Sequence, residues 1–388
     1  MSFASSLTTN QMLLEGTRTE DRVLLQAVRS SILERAGPGP THPISSNGID
    51  WQELGTVAKQ NRLEIFLLRG LEQGAVQVPQ KFRALLEEQR DATFRLNTSN
   101  LLTVRHVLPL LEARGVSAVV FKGPCAQMLV HGEFFAKPSL DVDLLVRPAD
   151  FDKASRVISD DGFALAEECS SVWWRIFLGE QAFLSRDRMQ AAVDLHHRVQ
   201  QPGCPAPRES ELFLSQSVTI DVGSTQVRTL SRTNATLVSC MSLAKALIQR
   251  EPAGGHVCDV AAWLARHAQG EMAKLAETAD RQGLRHTLAL GLRAAGLLFG
   301  VQAPIEQDRA RILADIADAN LITMILRPWA SEIPWPRRST MLRELCETRA
   351  AYLKEIGWKL AAEICRNLCE RPTRHRRSRP GGGPVVQP

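Results

Sequence analysis

Asp141 and Asp143 flank Val142 in a run, Leu140-Asp141-Val142-Asp143-Leu144-Leu145-Val146, that is otherwise apolar. Side chains two apart on a strand point to the same face, so both carboxylates project together. Like charges that close are costly unless a cation lies between them. Hard divalent cations such as Mg²⁺ bind through one or two carboxylates plus the phosphates of a substrate. An isolated Asp-x-Asp is common and often marks a solvated strand end. The apolar context makes this one informative, because Asp is depleted from buried strands. A third carboxylate, Asp194, sits mid-way along the strand-like stretch 190–199. Alternation places Ala192, Asp194 and His196 on one face and Val193, Leu195 and His197 on the other. If the two strands are neighbours, three carboxylates meet, the usual apparatus for phosphoryl or nucleotidyl transfer. Upstream, the Lys122-Gly123 turn after an apolar strand would let backbone N–H groups approach phosphates.

Motif order and spacing across residues 119–199 resemble the uncharacterised nucleotidyltransferase family of the polymerase-β-like superfamily. The shared positions are Lys122-Gly123, Lys137-Pro138, Asp141-Val142-Asp143-Leu144-Leu145-Val146 and Val193-Asp194-Leu195-His196, with Arg147-Pro148-Ala149-Asp150 opening a helix that ends near Gly162-Phe163. The resemblance implies an α+β fold: a polymerase-β-like core, a short mixed sheet with flanking helices, between helical N- and C-terminal regions. It also implies an enzyme that moves a nucleoside monophosphate from a nucleoside triphosphate to an acceptor, using Mg²⁺ or Mn²⁺. Asp141, Asp143 and Asp194 would be the catalytic and metal-binding residues, and Lys122, Gly123, Lys137 and His196 would contact the nucleotide. The acceptor stays open among small molecules, peptides and proteins. A regulatory or antitoxin-like enzyme acting on protein or tRNA, and a non-catalytic nucleotide-binding module, are the alternatives. Three departures from the family pattern stand out. Pro124 follows the turn and removes one N–H, His131 replaces a Tyr, and Lys137 replaces an Arg that would grip phosphate bidentately.

The elements that must position these residues divide the chain into a helical region 1–115, an α/β core 116–230, a helical region 231–370 and a basic tail 371–388. In the first region helices are expected from Thr19, over 51–61, over 80–96 and over 97–114, the last closed by Gly115. The core is expected to hold strands at 117–121, 140–146, 163–166, 181–185 and 190–199, then a hairpin at 218–221 and 226–230 around Gly223-Ser224. The third region reads as helical, with a break at Pro334-Trp335-Pro336 and a last long helix from about Ser339. At 388 residues the chain has ample length for a large core.

Formal net charge is +5, but the tail holds five Arg and no acid, so the remaining body sums to zero. The Pro/Gly-rich tail is expected to be disordered. A neutral body argues against a dedicated nucleic-acid groove. No apolar run approaches a membrane span and the first residues do not read as a signal peptide. Eight scattered Cys suit a reducing compartment, so a cytoplasmic protein is expected. Cys365 with Cys369, and His256, Cys258 and His267, lack zinc-site spacing. Asp259 matches a family position and reads as a helix cap or a substrate contact. Lys245 reads as a solvated helical cation. Trp173-Trp174 reads as core packing, with stacking on a base as the alternative.

Overall fold

The computed structural model describes residues 17–34, 48–186, 190–301 and 313–377. It is an α+β structure, mostly helical, around one seven-stranded mixed sheet. Four helices come first: α1 (Thr19–Glu34), α2 (Trp51–Gln60), α3 (Glu64–Gln73) and α4 (Gln80–Ala113). The sheet region follows, with β1 (Val119–Val120), α5 (Gly123–His131), β2 (Asp141–Leu145), α6 (Phe151–Asp160), β3 (Ala164–Leu165), a π-helical turn (Trp173–Leu178), β4 (Glu180–Leu184), β5 (Ala192–His196), α7 (Glu211–Ser215), β6 (Val218–Val222) and β7 (Thr225–Thr229). Helices α8 (Arg232–Gln249), α9 (Gly254–Gln282), α10 (Arg285–Phe299), α11 (Asp318–Leu326), α12 (Arg338–Leu345) and α13 (Arg349–Arg377) complete the described chain.

Strand order is β3-β4-β5-β2-β1-β7-β6. The two aspartate-bearing strands, β2 and β5, are adjacent and parallel, with Asp143 opposite Asp194. Parallel neighbours need covered faces, and one face is sealed by Val142, Leu144, Val193, Leu195 and Phe183. These pack on α6 and on the second half of α4 through Leu101, Val104, Val107 and Leu111. Period-2 alternation then turns the aspartates to the opposite face.

A second, larger core joins the two ends of the chain. Val23, Leu54 and Phe66 from the first helices cluster with Leu237, Trp263, Leu290 and Leu326 from the last ones. Helix α8 is buried on nearly every side, as expected of a helix at the centre of a bundle. Buried Arg327 follows α11 and donates to Asp21 at 2.9 Å and to Glu53, tying α11 to α1 and α2.

Some expected boundaries move. Residues 80–113 form one helix rather than two, because Asn97 does not start a new one. Its side chain is buried and turned inward, donating to the carbonyls of Phe134 (2.6 Å) and Lys137 (3.0 Å). The last long helix is broken, with α12 ending at Leu345 and α13 starting at Arg349. Helix α13 continues to Arg377, so residues 371–377 of the expected disordered tail are helical. The remainder of that tail, 378–388, lies outside the described residues. No helix among the described residues is long and apolar enough to cross a membrane. All eight Cys are described and none forms a disulfide.

Candidate active site

The open face of the sheet carries Asp141, Asp143, Asp194 and His196 together, as pairing of β2 with β5 requires. Glu180 of β4 lies opposite His196 and joins the same face. Nothing in the local sequence marks Glu180; only the antiparallel register of β4 against β5 brings it in.

Asp143 is the best-buried of the three aspartates and has two basic neighbours. Lys122 Nζ donates to its Oδ1 at 3.0 Å, and His196 Nε2 lies 3.2 Å from the same oxygen. On its other side His196 presents Nδ1 to Glu180 Oε2 at 3.5 Å, and its ring stands edge-on to Phe121. Burial alone would raise the carboxyl pKa of Asp143, but Lys122 and His196 outweigh it and hold it well below the usual range. Reciprocally, burial opposes the charge of Lys122, and Asp143 with Glu180 and Asp141 holds its pKa above the ordinary value.

The other two carboxylates are less well served. Asp141 is raised by burial and then by the charge of Asp143. Asp194 is pushed up to about 7 by burial first and by Asp141 second. This face therefore holds more negative charge than its own cations balance, which favours an added cation.

Gly123 lines the same cleft as Asp141 and Asp143, directly after Lys122 and at the start of α5. Its φ is +69°, and a Cβ there would come within 3.0 Å of the Ser139 hydroxyl. Only glycine fits that backbone and spacing without strain. Pro124 occupies the first turn of α5, where its missing N–H costs nothing.

The loop from α5 to β2 is fixed by amides that the sequence did not single out. Asn97 Oδ1 accepts from Ser139 N at 3.0 Å, and Asn100 Nδ2 donates to Ser139 O at 2.7 Å. Gln127 pairs with the Lys137 backbone on both its N–H and its carbonyl, at 3.1 and 2.9 Å. These bonds set where β2 begins and hence where Asp141 points.

Lys137 was expected on the nucleotide. Its ammonium lines the cleft but is held by Asp259 at 2.5 Å and by the Gly255 carbonyl at 3.1 Å. Asp259 also accepts from His131 Nε2 at 2.8 Å and Ser239 Oγ at 3.1 Å. It lies inside α9, whose N-cap is Ala253, so it is not a helix cap. His131 thus donates to a buried carboxylate. Burial lowers the His131 pKa despite Asp259, so the ring donates as neutral imidazole.

The cleft between sheet and helices encloses about 100 Å³, lined by Lys122, Gly123, Asp141, Asp143, Arg62 and His256 among others. Lys245 does not line it, whereas Ser242, one helical turn earlier, does. Arg62 was not anticipated. It has φ +56° just after α2. Its neighbour Asn61 is buried and anchored to Leu326 O at 2.9 Å and Gly254 N at 2.8 Å. His256 is pushed down to about 3, chiefly by burial and then by Lys137, so it is neutral here.

Among the described residues no three His, Cys, Asp or Glu side chains are gathered tightly enough to hold a metal ion by themselves. The donor chemistry still fits a hard divalent cation. Such ions take one or two carboxylates and complete their shell with water and substrate phosphate, and Asp141 and Asp143 supply hard oxygens beside the Gly123 turn.

The fold sets paired strand aspartates beside a glycine turn, in a cleft closed by helices. The family model described as "Uncharacterised nucleotidyltransferase" matches residues 47–300, well over half the chain, and the chain belongs to that family. The protein is accordingly an enzyme of the nucleotidyltransferase class. No curated protein and no solved structure matches it significantly.

Proposed function

We propose that the protein transfers a nucleoside monophosphate from a nucleoside triphosphate to an acceptor oxygen, through a polymerase-β-like core. The observation that carries this reading is the parallel pairing that sets Asp143 against Asp194, with Asp141 on the same face beside the Gly123 turn.

In this reading the triphosphate crosses the Gly123 turn. The first turn of α5 offers its N–H groups to the phosphates, and Lys122 and Arg62 add positive charge. Lys137 contributes to the wall of the cleft and braces it through Asp259. Asp141 and Asp143 would hold Mg²⁺ or Mn²⁺, with Asp194 completing the set. When bound, such an ion neutralises phosphate charge and lowers the pKa of an attacking hydroxyl. Asp194 stands at the acceptor side and takes the proton of the attacking group. His196 bridges Asp143 and Glu180 and fixes the orientation of the Asp143 carboxylate.

The test is transfer of label from an α-³²P nucleoside triphosphate to lysate or candidate acceptors with Mg²⁺ or Mn²⁺. Labelled product from the wild type, absent with Asp141→Asn, is expected. Equal labelling by both proteins would overturn the reading.

A further inference from the structure

The carboxylates of β2 and β5 stand between two openings. The cleft with Lys122 and Gly123 lies on the β1/β2 side, and strand order puts β4 on the opposite side of β5. There a second pocket of about 420 Å³ opens, bounded by Trp173 and Trp174 of the π-helical turn, by Glu180, and by Lys359 and Arg366 of α13. Its volume falls in the range of small-molecule sites, roughly 300–1,000 Å³.

The pocket carries marks of a ligand site. The Trp173 indole N–H is buried with no hydrogen-bond partner, and a buried donor left unpaired calls for an explanation. Arg366 stacks over the same ring at 4.9 Å, and Trp174 meets it edge-on at 5.5 Å between centroids. A row of polar contacts joins this pocket to the catalytic face. Gln249 Nε2 meets Gln201 Oε1 at 3.3 Å, and Gln201 Nε2 meets Glu180 Oε1 at 3.4 Å. Glu180 Oε2 then lies 3.5 Å from His196, whose other nitrogen lies 3.2 Å from Asp143.

We infer that this second pocket binds the acceptor, and that the acceptor is amino-acid- or short-peptide-like, with an apolar or aromatic body and both charges. The inference rests on the nucleotidyl-transfer reading and deepens it. In-line displacement places the attacking oxygen and the leaving pyrophosphate on opposite sides of the α-phosphorus, and the two openings lie on different sides of the paired strands β2 and β5, one towards β1 and the other at Glu180 of β4. The acceptor oxygen forms a bond to the α-phosphorus while the bond to the bridging oxygen of the β-phosphate breaks. Pyrophosphate departs with that electron pair, and the acceptor proton passes to Asp194. The charge of the lining selects the ligand class. Arg338, Lys359 and Arg366 are matched by Glu180, Glu251 and Glu363, a balance that suits a zwitterion and disfavours a second polyphosphate. The tryptophans supply the apolar surface.

Glycyl-L-tyrosine and ATP, each titrated into the full-length protein and followed by saturation-transfer NMR, test this assignment. The wild type is expected to bind both. Trp173→Ala and Lys359→Glu should each weaken the dipeptide about tenfold or more and leave ATP affinity within about twofold. Two variants are used because Lys359→Glu alters the pocket from a helix surface, where misfolding is not expected. Loss of ATP affinity in both variants would make this the base pocket and overturn the assignment, as would a wild type that binds ATP and not the dipeptide. A wild type that binds the dipeptide and not ATP would instead sink the nucleotidyl-transfer reading while leaving a ligand pocket here.

Discussion

Asp143 and Asp259 are two buried aspartates built from the same parts and put to different ends. Each pairs with a lysine and a histidine, Lys122 and His196 in one case and Lys137 and His131 in the other. Both carboxyls are held well below their usual range, against the cost of burial. Around Asp259 the set closes, with Ser239 as a further donor and the Gly255 carbonyl sharing Lys137. Around Asp143 it stays open, because Asp141, Asp194 and Glu180 crowd the same face with charge that Lys122 and His196 do not balance. A satisfied ion pair serves as a brace, whereas an unbalanced one leaves work for an incoming cation and phosphate. Glu64 gives a third case, a buried acid with one carboxylate oxygen unpartnered and a pKa raised to about 7 by burial.

The open site is the more sensitive of the two to loss of its carboxylate. Asp143→Asn should lower transfer by about a thousandfold, since losing such a ligand removes several kcal/mol of charge stabilisation. Single-turnover transfer of the labelled nucleotide checks this, and near-wild-type turnover would remove Asp143 from the chemistry. Breaking the closed site should cost stability instead. Asp259→Ala leaves the part-buried Lys137 with only the Gly255 carbonyl and His131 without its acceptor, and should destabilise by about 3 kcal/mol in urea unfolding. A loss below about 1 kcal/mol would mean that the brace contributes little.

Glu64 makes stability depend on pH, because burial raises its carboxyl pKa to about 7. Its folded pKa lies above the unfolded value, so the native state binds more protons between about 4.5 and about 7. This group's contribution must therefore weaken the fold as pH rises through that window. Glu64→Gln should flatten that slope and stabilise by on the order of 2 kcal/mol at pH 8. Denaturation at pH 5 and pH 8 provides the check, with a variant no more stable than wild type at pH 8 as the contrary result. The smallest effect separates the two lysines. Lys122→Ala should weaken nucleoside triphosphate binding about tenfold with saturated turnover little changed. Lys137→Ala should show mainly in unfolding midpoint, and calorimetric titration beside melting curves distinguishes the two.

The acid site was legible because strand alternation is local. Asp141 and Asp143 share a face whatever the strand pairs with, and Asp194 and His196 do likewise. Gly123 was legible as a turn, and its positive φ supplies the reason. Glu180 was hidden, because a lone Glu at a strand start carries no periodic signal until β4 pairs with β5. Asn97, Asn100 and Gln127 were hidden too, since a buried amide on a helix looks like any polar helical residue until its carbonyl partners are known. Helix α4 was split at Asn97 for that reason.

By itself the sequence determined which residues carry charge in apolar strands, the family to which the chain belongs, and the helical character of both flanks. Those follow from side-chain period and residue type, which act within a few positions. Only the tertiary structure decided that the two flanks share one core, that β2 and β5 are parallel neighbours, and that Lys137 turns to Asp259 across the cleft. Contacts spanning more than a hundred residues are set by which surfaces bury each other best, and that outcome belongs to the whole chain.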